Sequence, residues 1–291
     1  MGHRHPEQPA RLAAINDRLI ASGLDMALSH YDAPLVNDAQ LELAHDRQYL
    51  ADLESRCPEA GIVWVDGDTA MNPHSLRAAR RAAGAVIKAV DLVMQGDATR
   101  AFCGVRPPGH HAERNQAMGF CFYNNIAVGA LHALKHYKIR RVAVVDFDVH
   151  HGNGTEHILA GDERVLFCST FQHPFYPNSG HECDSSNVVN VPLSQGAGST
   201  EFRSAVSEHW IPRLQQFAPE LLMISAGFDA HQADDMAGLN LIDSDYAWVT
   251  EQLVAVADAS ADGRIVSSLE GGYDLHALAR SVEAHLKAFL G

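Results

Sequence analysis

The sequence predicts a single α/β domain built on an open, mostly parallel sheet flanked by helices. Three observations lead there. Short apolar runs alternate with longer amphipathic stretches along all 291 residues. The longer stretches repeat their apolar residues at helical spacing, as Ala83, Val86, Ile87 and Val90 do. Polar and titratable residues gather beside glycines just after the apolar runs, where an open parallel sheet places its site. Strands that alternate with helices need crossovers, and the crossovers cover both faces of the sheet.

The strand candidates, in order, are Gly61–Val65, Arg100–Gly104, Arg141–Val145, Val165–Ser169, Leu221–Ser225 and Arg264–Leu269. The helix candidates are Arg11–Ser22, Ala39–Cys57, Ser75–Met94, Asn124–Tyr137, Ser199–Gln216, Ser244–Ala261 and Leu275–Leu290. Length alone allows one large domain or two ordinary ones. No repeat, low-complexity tract or Pro/Gly/Ser linker divides the chain, so residues 1–291 are read as one domain.

Apolar residues make up 46% and charged residues 20%, a globular composition. No apolar run reaches the ~18 residues of a membrane span. The opening from Met1 to Arg11 is polar, without the apolar centre of a signal peptide. These features predict neither membrane insertion nor export. Lys plus Arg is 22 against 36 for Asp plus Glu, a formal charge of −14. That balance disfavours nucleic acid, whose binding rests on phosphate neutralisation, and favours cationic partners. The five cysteines, Cys57, Cys103, Cys121, Cys168 and Cys183, are scattered and odd in number. They predict reduced thiols in a cytoplasm and no thiolate zinc site. The 18 histidines are the one unusual count.

Four strand ends carry the chemistry. Asp146 to Gly154 follow one strand and Ala226 to His231 another. Glu270-Gly271-Gly272-Tyr273-Asp274 follow a third, and Arg106-Pro107-Pro108-Gly109-His110-His111 a fourth. Asp146, Asp148 and His150 are spaced i, i+2, i+4, which puts them on one face of an extended segment. Asp229 from a neighbouring strand end completes a set of Asp148, His150 and Asp229. Three protein ligands with an open fourth position is the catalytic zinc arrangement. The same oxygen-rich set admits Fe²⁺, Co²⁺ or Mn²⁺. A lone Asp-x-His is ordinarily a surface or capping pair. Two carboxylates gathered without a cation would repel. His110-His111 reads either as a surface pair or as a general base and acid. Tyr273 reads either as packing or as a donor to a developing oxyanion.

Several ordered segments resemble the zinc-dependent histone deacetylase family, which includes bacterial acetylpolyamine amidohydrolases. They are Arg106–Ala112, Gly119–Asn125, Asp146–Gly154, Ala226–Asp229 and Glu270–Tyr273. The resemblance starts at Gly2-His3-Arg4-His5-Pro6-Glu7 and reaches the final helix. It implies the arginase–deacetylase fold. Asp148, His150 and Asp229 then match the metal ligands, and His111 the general base that later acts as acid. His110 matches its electrostatic partner, with Asp146 behind it, and Tyr273 the hydroxyl that polarises the carbonyl. Asn153 stands where the class II branch has asparagine, which with His5-Pro6-Glu7 places the chain nearer class II and its bacterial relatives. Gly119, Phe120 and Tyr176 match the walls of a narrow channel. Asp146 and Ser169, with the backbones of Asp148, His150 and Thr170, match a monovalent-cation site, usually potassium. The family's histidine after that set is Phe171 here.

Two departures are visible. Polyamine-preferring members carry an acidic residue at the rim, where this chain has Met236 beside Asp234 and Asp235. Members also have a strand before His5-Pro6-Glu7, so the resemblance predicts a missing first strand.

The expected activity is metal-assisted hydrolysis of an N-acyl amide: an acetyl-lysine protein or peptide, or alternatively an acetylated polyamine or another small N-acetyl amide. Asp68 is a candidate for steering the cationic substrate. A two-manganese ureohydrolase would need a second aspartate two residues after Asp229, where His231 stands. An inactive acyl-lysine binding module would not need a proton-transfer histidine.

Overall fold

The computed structural model describes residue 2 and residues 5–291, so His3 and Arg4 of the opening motif lie outside the described residues. Helix α1 (Ala10–Ser22), a 3-10 turn at Leu24–Ala27 and short helices α2 (Asp38–Leu41) and α3 (Arg47–Ser55) come first. An antiparallel ribbon of β1 (Val63–Trp64) and β2 (Ala70–Met71) follows. Next are α4 (Ser75–Gln95), β3 (Arg100–Cys103), α5 (Asn125–His136), β4 (Val142–Asp146), α6 (Asn153–Leu159), β5 (Val165–Gln172) and β6 (Val188–Leu193). Helix α7 (Ser199–Ala205), a π-helical turn (Val206–Trp210) and α8 (Ile211–Phe217) are continuous. Strand β7 (Leu221–Ala226), α9 (Asp243–Ser260), β8 (Ile265–Leu269) and α10 (Leu275–Leu290) close the chain.

Six strands form one sheet in the order β3-β8-β7-β4-β5-β6, with every pair parallel. This is the expected α/β class. Side chains alternate across the sheet, and each face has its own core. Val142 and Val144 pack with Val86, Val90 and Ile126 from α4 and α5. Ala143 and Val145 pack with Val249, Leu253, Val282 and Leu286 from α9 and α10. Strand β4 is therefore buried on both faces, which explains its unbroken apolar run. From β4 the chain builds outward through β5 and β6, then returns to place β7 on the other side. The reversal opens a crevice at the carboxyl ends of β4 and β7.

Six elements depart from the sequence expectation. Gly61–Val65 does not join the main sheet; its core pairs with β2 in the ribbon, leaving Ile62 and Trp64 exposed. The expected helix Ala39–Cys57 breaks into α2 and α3. Between them His45 turns inward, its ring nitrogens meeting the Glu113 carbonyl at 2.9 Å and the Asn124 amide at 2.9 Å. The helix Ser199–Gln216 contains the π turn directly before Pro212, which has no N–H to offer the preceding turn. Strand β6 was not expected, because Asn190 and Pro192 interrupt it; as an edge strand it tolerates both. Ribbon strand β2 and helix α6, which starts among the glycines of residues 152–154, were also not expected.

His285 joins α10 to the core, with Nδ1 at 2.6 Å from Thr250 Oγ1 and Nε2 at 2.9 Å from Ser267 Oγ. Burial pushes its pKa down to about 3, and burial likewise pushes His45 down to about 4. Both stay neutral in the fold but take up a proton below about pH 6.5 once unfolded. Acid therefore favours the unfolded chain, and stability is lost as pH falls from 6.5 toward the folded values. Each histidine contributes a slope approaching about 1.4 kcal/mol per pH unit. Urea unfolding of the His285→Gln variant between about pH 6 and pH 5 is expected to show a slope shallower by about that amount. An unchanged slope would show that His285 is not the proton acceptor.

Candidate active site

Strand order makes the ends of β3, β8, β7 and β4 neighbours, and each delivers part of one buried cluster. Strand β4 ends at Asp146, and the chain then bends through Asp148 and His150. The expected extended segment is therefore replaced by a bend, which separates Asp146 from the other two. Asp148, His150 and Asp229 each offer a ligand atom, all within 4.8 Å of one another, and all three residues are buried. His150 Nδ1 lies 3.0 Å from Asp148 Oδ1 and 3.3 Å from Asp229 Oδ2.

The donor set fits a divalent cation. Asp229 Oδ2 is buried without a hydrogen-bond partner. Asp229 Oδ1 accepts from the Val149 amide at 3.0 Å, and Asp148 Oδ2 from the Gly271 amide at 2.8 Å. The walls leave no space for more: a Cβ on Gly271 would sit 2.0 Å from Asp229 Oδ2 and 2.6 Å from Asp148 Oδ2. Burial and then the charge of Asp148 push the Asp229 carboxyl up to about 6. Burial opposes ionisation of Asp148 as well, but His110 and His150 outweigh it and hold that carboxyl below its ordinary range. The two carboxylates raise His150 to about 9 against its burial. Mutual repulsion of this kind is relieved by a bound cation.

Asp146 turns instead to His110, with Oδ2 at 2.9 Å from Nδ1, and its Oδ1 accepts from the Asp148 amide at 3.1 Å. Burial works against charge on His110, yet Asp148 and then Asp146 raise its pKa well above the ordinary value. His111 behaves oppositely. Burial, then the charges of His110 and His150, hold it well below. Its Nδ1 meets Asn153 Oδ1 at 2.8 Å, and the Asn153 amide group is anchored by Glu113 Oε1 at 2.7 Å. Adjacent imidazoles thus carry opposite protonation preferences. Burial also keeps the Tyr273 phenol protonated.

A pocket opens onto this cluster, lined by Phe120, Tyr176, Met236, Tyr273 and Asp68 among others. The Tyr176 ring stands edge-on 5.2 Å from His111, and Phe120 is edge-on 6.0 Å from Tyr273. Gly119 lies at the wall, its amide held by Asp68 Oδ1 at 3.1 Å.

The family profile described as "Histone deacetylase domain" matches residues 5–289. The chain belongs to the histone deacetylase family. It carries a hydrolytic deacetylase domain. It is 36% identical to a histone deacetylase-like amidohydrolase of Pseudomonas aeruginosa, over 92% of this chain and 72% of that protein. It is 40% identical to an uncharacterised Synechocystis protein, over 99% of this chain and 95% of that one. The crystal structure of the HDA15 HD domain superposes with a TM-score of 0.93 at 33% identity, covering 100% of this chain and 86% of that chain.

Other residues singled out from the sequence lie in less expected surroundings. Ser169 and Thr170 are buried on β5, with Ser169 Oγ 3.3 Å from His151 Nδ1. Phe171 packs against the same His151 ring at 4.6 Å. Asp234 is not a rim charge: it is buried, and its carboxylate accepts backbone N–H groups. Asp235 is exposed. His231 turns away from the cluster, its Nε2 3.2 Å from Asp243 Oδ1.

Sequence reasoning gave no role to Arg11, nor to Glu270, although Glu270 opens the Glu270–Tyr273 motif. Arg11 is fully buried; its Nε donates to the Gly272 carbonyl at 2.6 Å and an Nη donates to the Glu270 carbonyl. Glu7 pairs with both Arg11 and Arg106. The Glu270 carboxylate accepts from the Gly109 amide at 2.6 Å and the His110 amide at 3.1 Å. For Arg11 the available signal was its i, i+4 spacing from Glu7, and for Glu270 its place in the motif after β8.

Without a cation, ionising Asp229 costs stability. Its folded value of about 6 exceeds the ordinary 3.8, so stability present below pH 4 is lost as pH rises through 6. The loss amounts to about 3 kcal/mol. In the presence of chelator at about pH 7.5, calorimetry is expected to show Asp229→Asn melting at or above the unsubstituted chain. Near pH 4 the difference should close. A clearly lower melting point for the variant at the higher pH would contradict this account.

Proposed function

We propose that the chain is a metal-dependent amidohydrolase that removes acetyl groups from lysine side chains of proteins or peptides. The buried Asp148, His150 and Asp229 cluster at the base of an aromatic-walled pocket carries this reading. These three residues would hold the ion, and zinc suits a nitrogen-and-oxygen set of three ligands with an open position. A bound ion of this type supplies Lewis acidity toward the amide carbonyl and lowers the pKa of water.

The chain's own groups do the rest. Phe120 and Tyr176 clasp the alkyl stem of the substrate and exclude water from it. His111, held neutral, takes a proton from the attacking water at the nitrogen not bonded to Asn153, then returns it to the leaving amine. His110, held charged between Asp146 and Asp148, stays beside it as a fixed positive charge. The Tyr273 hydroxyl donates a hydrogen bond to the carbonyl oxygen as negative charge builds there, a contribution of about 3 kcal/mol to the barrier. Acetate and the free amine leave.

Met236 at the pocket supports a lysine substrate over a polyamine, because an apolar side chain stands at the position where polyamine-preferring members carry a carboxylate. Asp68 at the same pocket and the net charge of −14 draw cationic substrates of either kind. A potassium ion among Asp146, Ser169 and the backbones of Asp148, His150 and Thr170 belongs to the same reading. So does a cytoplasmic setting, which five free cysteines suit. Among the described residues no helix is long and apolar enough to cross a membrane.

With Zn²⁺ restored after chelation, initial rates are expected to favour acetyl-lysine and trifluoroacetyl-lysine peptides over acetylputrescine and acetylspermidine. The opposite preference would replace the lysine reading with the polyamine one, and silence on all four would overturn the amidohydrolase. His111→Ala should lower kcat by about 10²-fold or more. Tyr273→Phe should lower kcat by about 10²-fold with little change in KM.

The pH profile gives a separate check. His111 must be neutral to act, so kcat/KM falls as pH drops through its pKa, below the ordinary histidine range. Asn153→Asp sets a negative charge where Asn153 Oδ1 now lies, 2.8 Å from His111 Nδ1, and favours the imidazolium. The acid limb should then move to higher pH by about one unit or more. An unmoved limb would remove His111 as the titrating base.

A further inference from the structure

We propose that Asp234 is the positioning residue for Tyr273: its buried carboxylate locks the turn that aims the tyrosine hydroxyl and ties that turn to the pocket rim. The inference rests on the reading of Tyr273 as the hydroxyl that assists at the substrate carbonyl.

Asp234 lies in the loop after β7 and is 5% exposed. Its Oδ2 accepts from the Tyr273 amide at 2.6 Å and from the Asp274 amide at 2.9 Å. Its Oδ1 accepts from the Met236 amide at 3.1 Å. The carboxylate is thus turned inward to three backbone N–H groups and not outward to a substrate amine. Charge-assisted bonds of this kind are among the stronger ones a protein makes.

The turn requires such a clamp. Tyr273 follows Gly271-Gly272, and Gly272 has φ 115°, a region in which glycine has wide freedom. The hydroxyl sits at the far end of a long, rigid side chain, so a small rotation of the turn displaces it greatly. Misplacing a reacting group by 1 Å costs about 10²-fold in rate. Two grips oppose that rotation. Arg11 holds the carbonyl side, through Gly272 at 2.6 Å, with its guanidinium 4.9 Å over the Tyr273 ring. Asp234 holds the N–H side. Asp274, held by the same oxygen, also caps α10 by accepting from the Ala277 amide at 2.7 Å. Tyr273 is therefore fixed relative to a long helix. Met236 lines the pocket and shares the carboxylate, so rim and hydroxyl are held in one register.

A double-substitution cycle on the zinc-restored full chain tests this, with the acyl substrate it turns over fastest. Asp234→Ala should lower kcat by about 10²-fold with little change in KM. Asp234→Asn keeps one carbonyl oxygen as acceptor and should lose less. In the Tyr273→Phe background neither substitution should lower kcat by more than about threefold further, because the group being aimed is gone. Equal losses in both backgrounds would overturn the proposal, since a purely structural role acts regardless of the tyrosine hydroxyl. If Asp234→Ala fails to fold by circular dichroism, the Asp234→Asn pair decides alone. Hydrogen exchange at the Tyr273 and Asp274 amides is read on the same variants and should accelerate about tenfold or more. Unchanged protection would also overturn it. A Tyr273→Phe chain with undiminished kcat is a different result: it removes the role given to Tyr273, and this inference with it.

Discussion

Crowding of buried negative charge at the ends of β4, β7 and β8 is the constraint on which the structure depends. Asp146, Asp148, Asp229 and Glu270 are all fully or nearly fully buried. Carboxylates in such a place are costly unless paired or hydrogen-bonded. Each has a distinct compensation here. Asp146 has His110 and Glu270 has the amides of Gly109 and His110. Asp148 has His150 and the Gly271 amide. Of the four, Asp229 alone keeps a buried oxygen without a hydrogen bond, with only the 3.3 Å approach of His150 Nδ1 beside it. That residual deficit is what a cation would satisfy, and it explains why the proposed metal position lies between Asp148 and Asp229 and not beside Asp146.

The parallel sheet makes this crowding geometrically possible. Four strand ends become neighbours because β7 returns to the far side of β4 and β8 and β3 continue outward from it. Strands β4, β7 and β8 are buried along their whole length, so their positions are set by packing against two independent cores, while β3 at the edge is only half-buried. Polar loops mounted on such strands inherit their rigidity. The carboxylates favour charge on His110, whereas burial, and then the positive charges of His110 and His150, disfavour it on His111. Two adjacent residues of one type thereby acquire opposite chemistry, the separation that acid–base catalysis at neutral pH requires.

Around that charged centre, backbone groups are held by side chains from distant parts of the chain. Glu270 fixes the amides that carry the paired histidines, and Arg11 and Asp234 hold the glycine turn before Tyr273 from opposite sides. Glycines permit the close approach that the cluster needs but leave the backbone unrestrained. Charged groups turned inward supply the missing restraint. This accounts for a fully buried arginine in α1, a position otherwise given to apolar residues.

Much of this was legible in the sequence. Periodicity located the long helices, and short apolar runs located the strands β3, β4, β5, β7 and β8, because all of these strands but β3 are buried on both faces. The grouping of titratable residues after those strands pointed to one crevice, and the ordered motifs pointed to the family. Elements decided by tertiary contact were not legible: His45 breaks a helix by bonding residues 113 and 124, and edge strand β6 hides behind a proline. The supporting residues were hidden for the same reason. Arg11 meets Gly272 across 261 residues, and Asp234 meets Tyr273 across 39. Residue type and local spacing determine what each strand end can do. Which carboxylate faces which histidine, and which side chain holds the turn, depends on where the folded sheet brings separate segments, and no local pattern encodes it.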